Sequence, residues 1–103
     1  MGKDTKDKIV HLQPPVIEED VPDVYANSVN MTMSVYDIVL QFGQMTDPKD
    51  GPKINAMVRM SPQHAKVFGM LLLKHLKKYE KDIGKITIPS AMIKDIGVEN
   101  EVF

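Results

Sequence analysis

The chain reads as an α+β fold: a three-stranded antiparallel meander followed by one long C-terminal helix packed on the sheet, in the order β-β-β-α. Two patterns predict it. Three segments between residues 25 and 60 alternate apolar and polar side chains, as half-buried strands do. The segment from residue 62 to about 83 then repeats its apolar residues at spacings of three and four, as a helix with one buried stripe does.

The first strand is expected over residues 25–33. Tyr25, Asn27, Val29, Met31 and Met33 share one face; Ala26, Ser28, Asn30 and Thr32 share the other. The second segment, Val35 to Gln44, alternates with opposite parity and places Tyr36, Ile38, Leu40 and Phe42 together. A hairpin centred on Ser34-Val35 pairs Met33 with Tyr36, Met31 with Ile38, Val29 with Leu40 and Asn27 with Phe42. That register gathers the apolar residues on one face, and a one-residue slip would scatter them. Ser34-Val35 is poor chemistry for a two-residue primed turn. A four-residue loop, Met33 to Tyr36 closed by Thr32 and Asp37, keeps the same register with less strain. Thr46-Asp47-Pro48-Lys49-Asp50-Gly51-Pro52 is loop chemistry. Beyond it Ile54, Ala56, Val58 and Met60 alternate with Asn55, Met57 and Arg59 as a third strand.

Ser61 and Pro62 start the helix. The serine hydroxyl caps free N–H groups, and proline suits the first helical position because it has no N–H to satisfy. Met60 is placed to staple onto Ala65. Gly84 is the expected left-handed C-terminal cap. The buried stripe is Ala65, Phe68, Leu72, Leu76, Tyr79 and Ile83. Yet Val67 to Leu73 is apolar around the full circumference, and a three-stranded sheet covers one side of one helix. The remainder needs a cover, either the C-terminal tail or a second subunit. Gly69 costs about 1 kcal/mol in a helix interior relative to alanine. With Ala65 it forms a small-residue notch where a neighbouring backbone can approach, or which fits the sheet. Ala65, Gly69, Met70 and Leu73 are therefore the candidate oligomer interface.

Charge and proline divide the 103 residues into three parts. Residues 1–24 carry three lysines against six acids, with Pro14, Pro15 and Pro22, and read as an acidic arm, flexible or weakly docked. Within it Ile9 to Leu12 and Val16-Ile17 are apolar patches that would suit a strand added to a sheet edge. Residues 25–84 carry eight basic residues against five acids and form the core domain. Residues 85–103 form a partly apolar tail containing Ile86, Ile88, Met92, Ile93 and Ile96.

The chemistry of catalysis is missing from the pattern. With no cysteine there is no thiol nucleophile, disulfide or thiolate metal site. His64 and His75 lie about 16 Å apart along a helix and cannot share an ion, and His11 lies in the arm. No phosphate-cradling glycine loop and no Gly-x-Ser-x-Gly elbow occurs. Asp37 reads as a turn residue beside Ser34. No catalytic, metal or cofactor site is expected. No apolar run is long enough to span a bilayer, and the charged N-terminus leads into no signal-peptide core, which suggests a cytoplasmic protein.

Tyr25-Ala26-Asn27-Ser28-Val29, Ser34-Val35-Tyr36-Asp37-Ile38-Val39-Leu40-Gln41-Phe42-Gly43, Arg59-Met60-Ser61-Pro62-Gln63-His64-Ala65-Lys66 and the helix end Tyr79-Glu80-Lys81 resemble a small prokaryotic family, domain of unknown function 3467. The resemblance covers residues 25–84 and leaves out the arm and the tail. It implies a small, freestanding, cytoplasmic protein and no particular activity.

The expected function is therefore that of a non-catalytic binding or assembly protein, a homo-dimer or higher oligomer, with the arm or tail available to a protein partner. The alternative is a nucleic-acid-associated regulator. Lys74, Lys77, Lys78 and Lys81 crowd the second half of the helix, where cations also oppose the negative end of its dipole. Against that alternative, Arg59 is the single arginine able to read guanine edges bidentately.

Overall fold

The computed structural model describes residues 13–101 and Phe103. Strands β1 (Ser28–Met33), β2 (Ile38–Gln44) and β3 (Lys53–Met60) form an antiparallel sheet in the order β1-β2-β3. Helix α1 (Pro62–Asp82) follows one residue after β3, and a short helix α2 (Ser90–Asp95) lies in the tail. The β-β-β-α order is the expected one. The patch Ile9 to Leu12 lies outside the described residues.

The β1–β2 register differs from the expected one by two residues. Met33 faces Ile38, Met31 faces Leu40 and Val29 faces Phe42. A two-residue step leaves every side chain on its face, so the apolar gathering survives. Turn chemistry decides the step. Ser34 Oγ accepts the N–H groups of Tyr36 (3.1 Å) and Asp37 (3.2 Å), and the Ser34 N–H donates to the Asp37 carbonyl at 2.9 Å. Ser34 thus opens the turn instead of sitting at its centre, with Val35 and Tyr36 at the tip. Ser34 Oγ also donates to Asp37 Oδ1 at 3.0 Å, so Asp37 is the turn residue the sequence suggested.

The β2–β3 loop closes through Asp47. Its carboxylate accepts the Lys49 N–H and its carbonyl the Asp50 N–H, both at 3.0 Å, and Gly51 takes the left-handed conformation (φ 72°). Between β2 and β3 the register shifts after Phe42: Phe42 faces Ala56 and Gly43 faces Ile54, so Asn55 is an extra residue in β3. At the shift the strands close up. A Cβ on Gly43 would sit 2.7 Å from the Lys53 carbonyl oxygen, so this position admits only hydrogen.

At the start of α1 the Ser61 hydroxyl accepts the His64 N–H at 3.1 Å, with Pro62 at the first helical position. The helix ends without the left-handed Gly84 expected from the sequence; among the described residues the left-handed glycines are Gly51 and Gly97. The Tyr79 carbonyl instead accepts the N–H groups of both Ile83 (2.8 Å) and Gly84 (3.3 Å), and a Glu80 carboxylate oxygen takes the Ile86 N–H at 3.1 Å. These bonds close the last turn on the Tyr79 carbonyl and lead the chain into the tail, with Gly84 outside the left-handed region.

Among the described residues the core is small. Val39 and Leu40 on the central strand are its buried hydrophobic side chains, and no residue of α1 is buried. The helix leaves β3 beside the sheet but does not close onto it.

Candidate functional site

Where helix and sheet face each other they leave an open groove of about 430 Å³. Met31, Ile38 and Leu40 form its floor, and Ala65, Phe68, Gly69, Leu72, Leu73 and Leu76 form its wall. The period-two face of the sheet and the period-3.6 stripe of the helix thus converge, as their patterns require. They converge without burying each other: Phe68 is 40% exposed and Leu72 47%. Every side chain lining the groove is apolar. A small-molecule site normally adds a few polar groups that orient its ligand, and this groove has none among the described residues.

The candidate interface residues fall in two adjoining places. Ala65, Gly69 and Leu73 line the groove. Met70 does not; it joins Leu73, Lys74 and Lys77 around a shallow outer depression of about 370 Å³. Gly69 has nothing within 4 Å of where a Cβ would stand, so its notch does not fit the sheet of its own chain. Val67, Met70 and Leu71 add a second exposed apolar patch on the outer side of the helix. Both the inner stripe and the outer patch therefore remain uncovered.

The lysines on the outer face differ among themselves. Lys78 is held by Asp82 at 2.6 Å, one helical turn on. Lys74 and Lys77 border the depression beside Met70 and Leu73, and Lys81 lies in the last helical turn. Among the described residues these three make no ion pair. His64 sits in the first helical turn and His75 is exposed; no group of acids and histidines among the described residues is placed to hold a metal. No helix is long and apolar enough to cross a membrane among the described residues.

Two contributors were not legible in the sequence. Phe103 reaches back to line the groove, and also a second depression of about 210 Å³ with Leu76, Glu80, Ile86 and Ile88. The tail thus lies along the C-terminal half of α1, as one of the two expected covers, but leaves the groove open. The other is Asn27, which the alternation placed among apolar residues. Its side chain grips the backbone of Met45, with Oδ1 accepting the Met45 N–H at 2.8 Å and Nδ2 donating to the Met45 carbonyl at 3.2 Å.

No curated protein and no solved structure matches the chain significantly. A family model described as protein of unknown function (DUF3467) matches residues 1–88. The match takes in the arm, which the resemblance read from the sequence had left outside, because the arm has no sustained apolar period by which to be recognised. With most of its length matched, the chain belongs to the protein family of unknown function DUF3467.

Proposed function

We propose that the chain is a non-catalytic binding and assembly protein that works as a homo-oligomer in the cytoplasm. One observation carries this reading: a 21-residue helix with apolar residues on every side has no buried residue, and faces an apolar sheet across an open groove. Leaving such a surface in water is costly at roughly 25 cal/mol per Å². Monomeric soluble proteins rarely keep one of this extent. A second copy supplies cover of matching chemistry, and the arm and tail remain as docking segments for another protein. Light scattering of the full chain at micromolar concentration is expected to give at least twice 11.6 kDa. A monomer at several hundred micromolar would defeat the reading.

A second reading, nucleic-acid association, is favoured by Lys74 and Lys77, which stand on one outer surface beside exposed apolar side chains. It predicts binding to duplex or single-stranded nucleic acid that weakens steeply as salt rises.

A further inference from the structure

The two edges of the sheet are unequal. The β3 edge carries Lys53, Arg59 and the extra residue Asn55, three devices that discourage another strand from pairing there. The β1 edge, Ser-Val-Asn-Met-Thr-Met, carries no charge, no proline and no bulge, and no described strand covers it.

Its hydrogen-bonding direction follows from the turn. The Ser34 N–H points across to the Asp37 carbonyl, so alternation turns Thr32, Asn30 and Ser28 toward β2. The N–H and C=O groups of Val29, Met31 and Met33 then point to the free edge. The same three residues carry the apolar face, and they are 51%, 60% and 80% exposed. The residues leading into β1 head away from that edge. Asn27 holds Met45 beyond the end of β2, and the Tyr25 carbonyl accepts from Asn55 of β3 at 3.3 Å, so Tyr25 to Asn27 lead across the end of the sheet toward β3.

We propose that β1 pairs antiparallel with β1 of a second copy about a two-fold axis through Met31, forming a continuous six-stranded sheet. The strand is self-complementary in that register. Met31 meets its own copy, and Val29 and Met33 meet each other, so each outward donor finds an outward acceptor and apolar side chains adjoin on one face. A neutral strand carries no like-charge repulsion against itself. Met31 lines the groove, so the same pairing sets the two grooves side by side on one face of the sheet, with each α1 available to the other. This deepens the homo-oligomer reading and rests on it.

Met31→Pro removes an outward N–H and leaves the β1–β2 bonds of Ser28, Asn30 and Thr32 in place. The full chain is expected to fall from twice 11.6 kDa to 11.6 kDa with its strand circular dichroism retained. Met31→Cys, in a chain without other cysteine, is expected to form a covalent dimer under mild oxidation, since facing Cα atoms about 5.5 Å apart lie within disulfide reach. Met57→Cys on β3 is expected to give none. A folded Met31→Pro variant that remains a dimer, or a dimeric Met31→Cys variant that does not cross-link, overturns the pairing while the homo-oligomer reading stands. A full chain that is monomeric at several hundred micromolar overturns both.

Discussion

Asn27 and Met45, eighteen residues apart, are joined by two hydrogen bonds in which one side-chain amide answers both polar groups of one backbone residue. The Asn27 amide thereby acts as an extra rung beyond the last paired residues of β1 and β2, and it anchors the chain entering the sheet. Asn27→Ala removes both bonds. At about 0.5–1.5 kcal/mol each for a protein hydrogen bond, the loss is expected to be about 1–3 kcal/mol. Urea unfolding at fixed protein concentration measures it. Asn27→Asp keeps the acceptor, places a carboxylate beside the Met45 carbonyl, and is expected to destabilise as well.

Gly43→Ala is expected to destabilise by about 1–3 kcal/mol, the usual range for overpacking. The added methyl would lie 2.7 Å from the Lys53 carbonyl oxygen, and that neighbour is backbone at the β2–β3 register shift, unable to swing aside like a side chain. Thermal unfolding of the two forms at equal concentration is the check. An unchanged midpoint would show that the strands separate there at no cost.

Gly69 gives the opposite expectation within one chain, because nothing lies within 4 Å of its absent Cβ. Gly69→Ala is expected to raise helix stability by about 1 kcal/mol through propensity alone. Gly69→Leu has room in the isolated chain, so a loss of dimer mass in light scattering reports a partner packed against the notch. If Gly69→Leu folds and keeps the full-chain mass, Gly69 is outside the interface.

The expectations succeed where a period carries the information. Spacing alone assigns Met31, Ile38, Leu40, Phe68 and Leu72 to their faces, and they do converge on the groove. The β1–β2 register departs from expectation by two residues because a period of two is blind to a step of two; only the Ser34 hydroxyl, bonded to the N–H groups of Tyr36 and Asp37, distinguishes the alternatives. The extra residue Asn55 leaves no mark in an alternation that resumes on either side of it. Helix α2 has six residues, too few to show a helical period. Of the candidate interface, Gly69 and Leu73 are legible as part of an all-round apolar helix, whereas Phe103 enters the groove through a chain reversal that no local pattern encodes.

Replacing Lys74, Lys77 and Lys78 together by glutamine separates the two functional readings. If the outer face binds phosphates, the slope of log affinity against log salt should flatten by roughly one for each lysine that had neutralised a phosphate. Lys78 is already engaged with Asp82, so Lys74 and Lys77 are expected to account for most of the change. Homo-oligomer mass should be unaffected by the same variant. Absence of binding to any nucleic acid at low salt ends the second reading.

The tail allows a final discrimination. Ile86 and Ile88 line one depression with Leu73 and Leu76, and Phe103 lines both this depression and the groove. All three tail side chains remain partly exposed, so each is expected to stabilise by about 1 kcal/mol, less than full burial gives. Deleting residues 85–103 is therefore expected to lower stability by a few kcal/mol and to promote aggregation through the uncovered end of α1. Amide exchange on the intact chain gives an independent measure. The Ile86 N–H, bonded to Glu80, and the Val98 N–H, bonded to the Ile93 carbonyl at 3.3 Å, should exchange more slowly than unbonded amides of the tail. Uniformly fast exchange through residues 86–98 would show that the tail shields nothing, leaving a second copy as the cover for the helix.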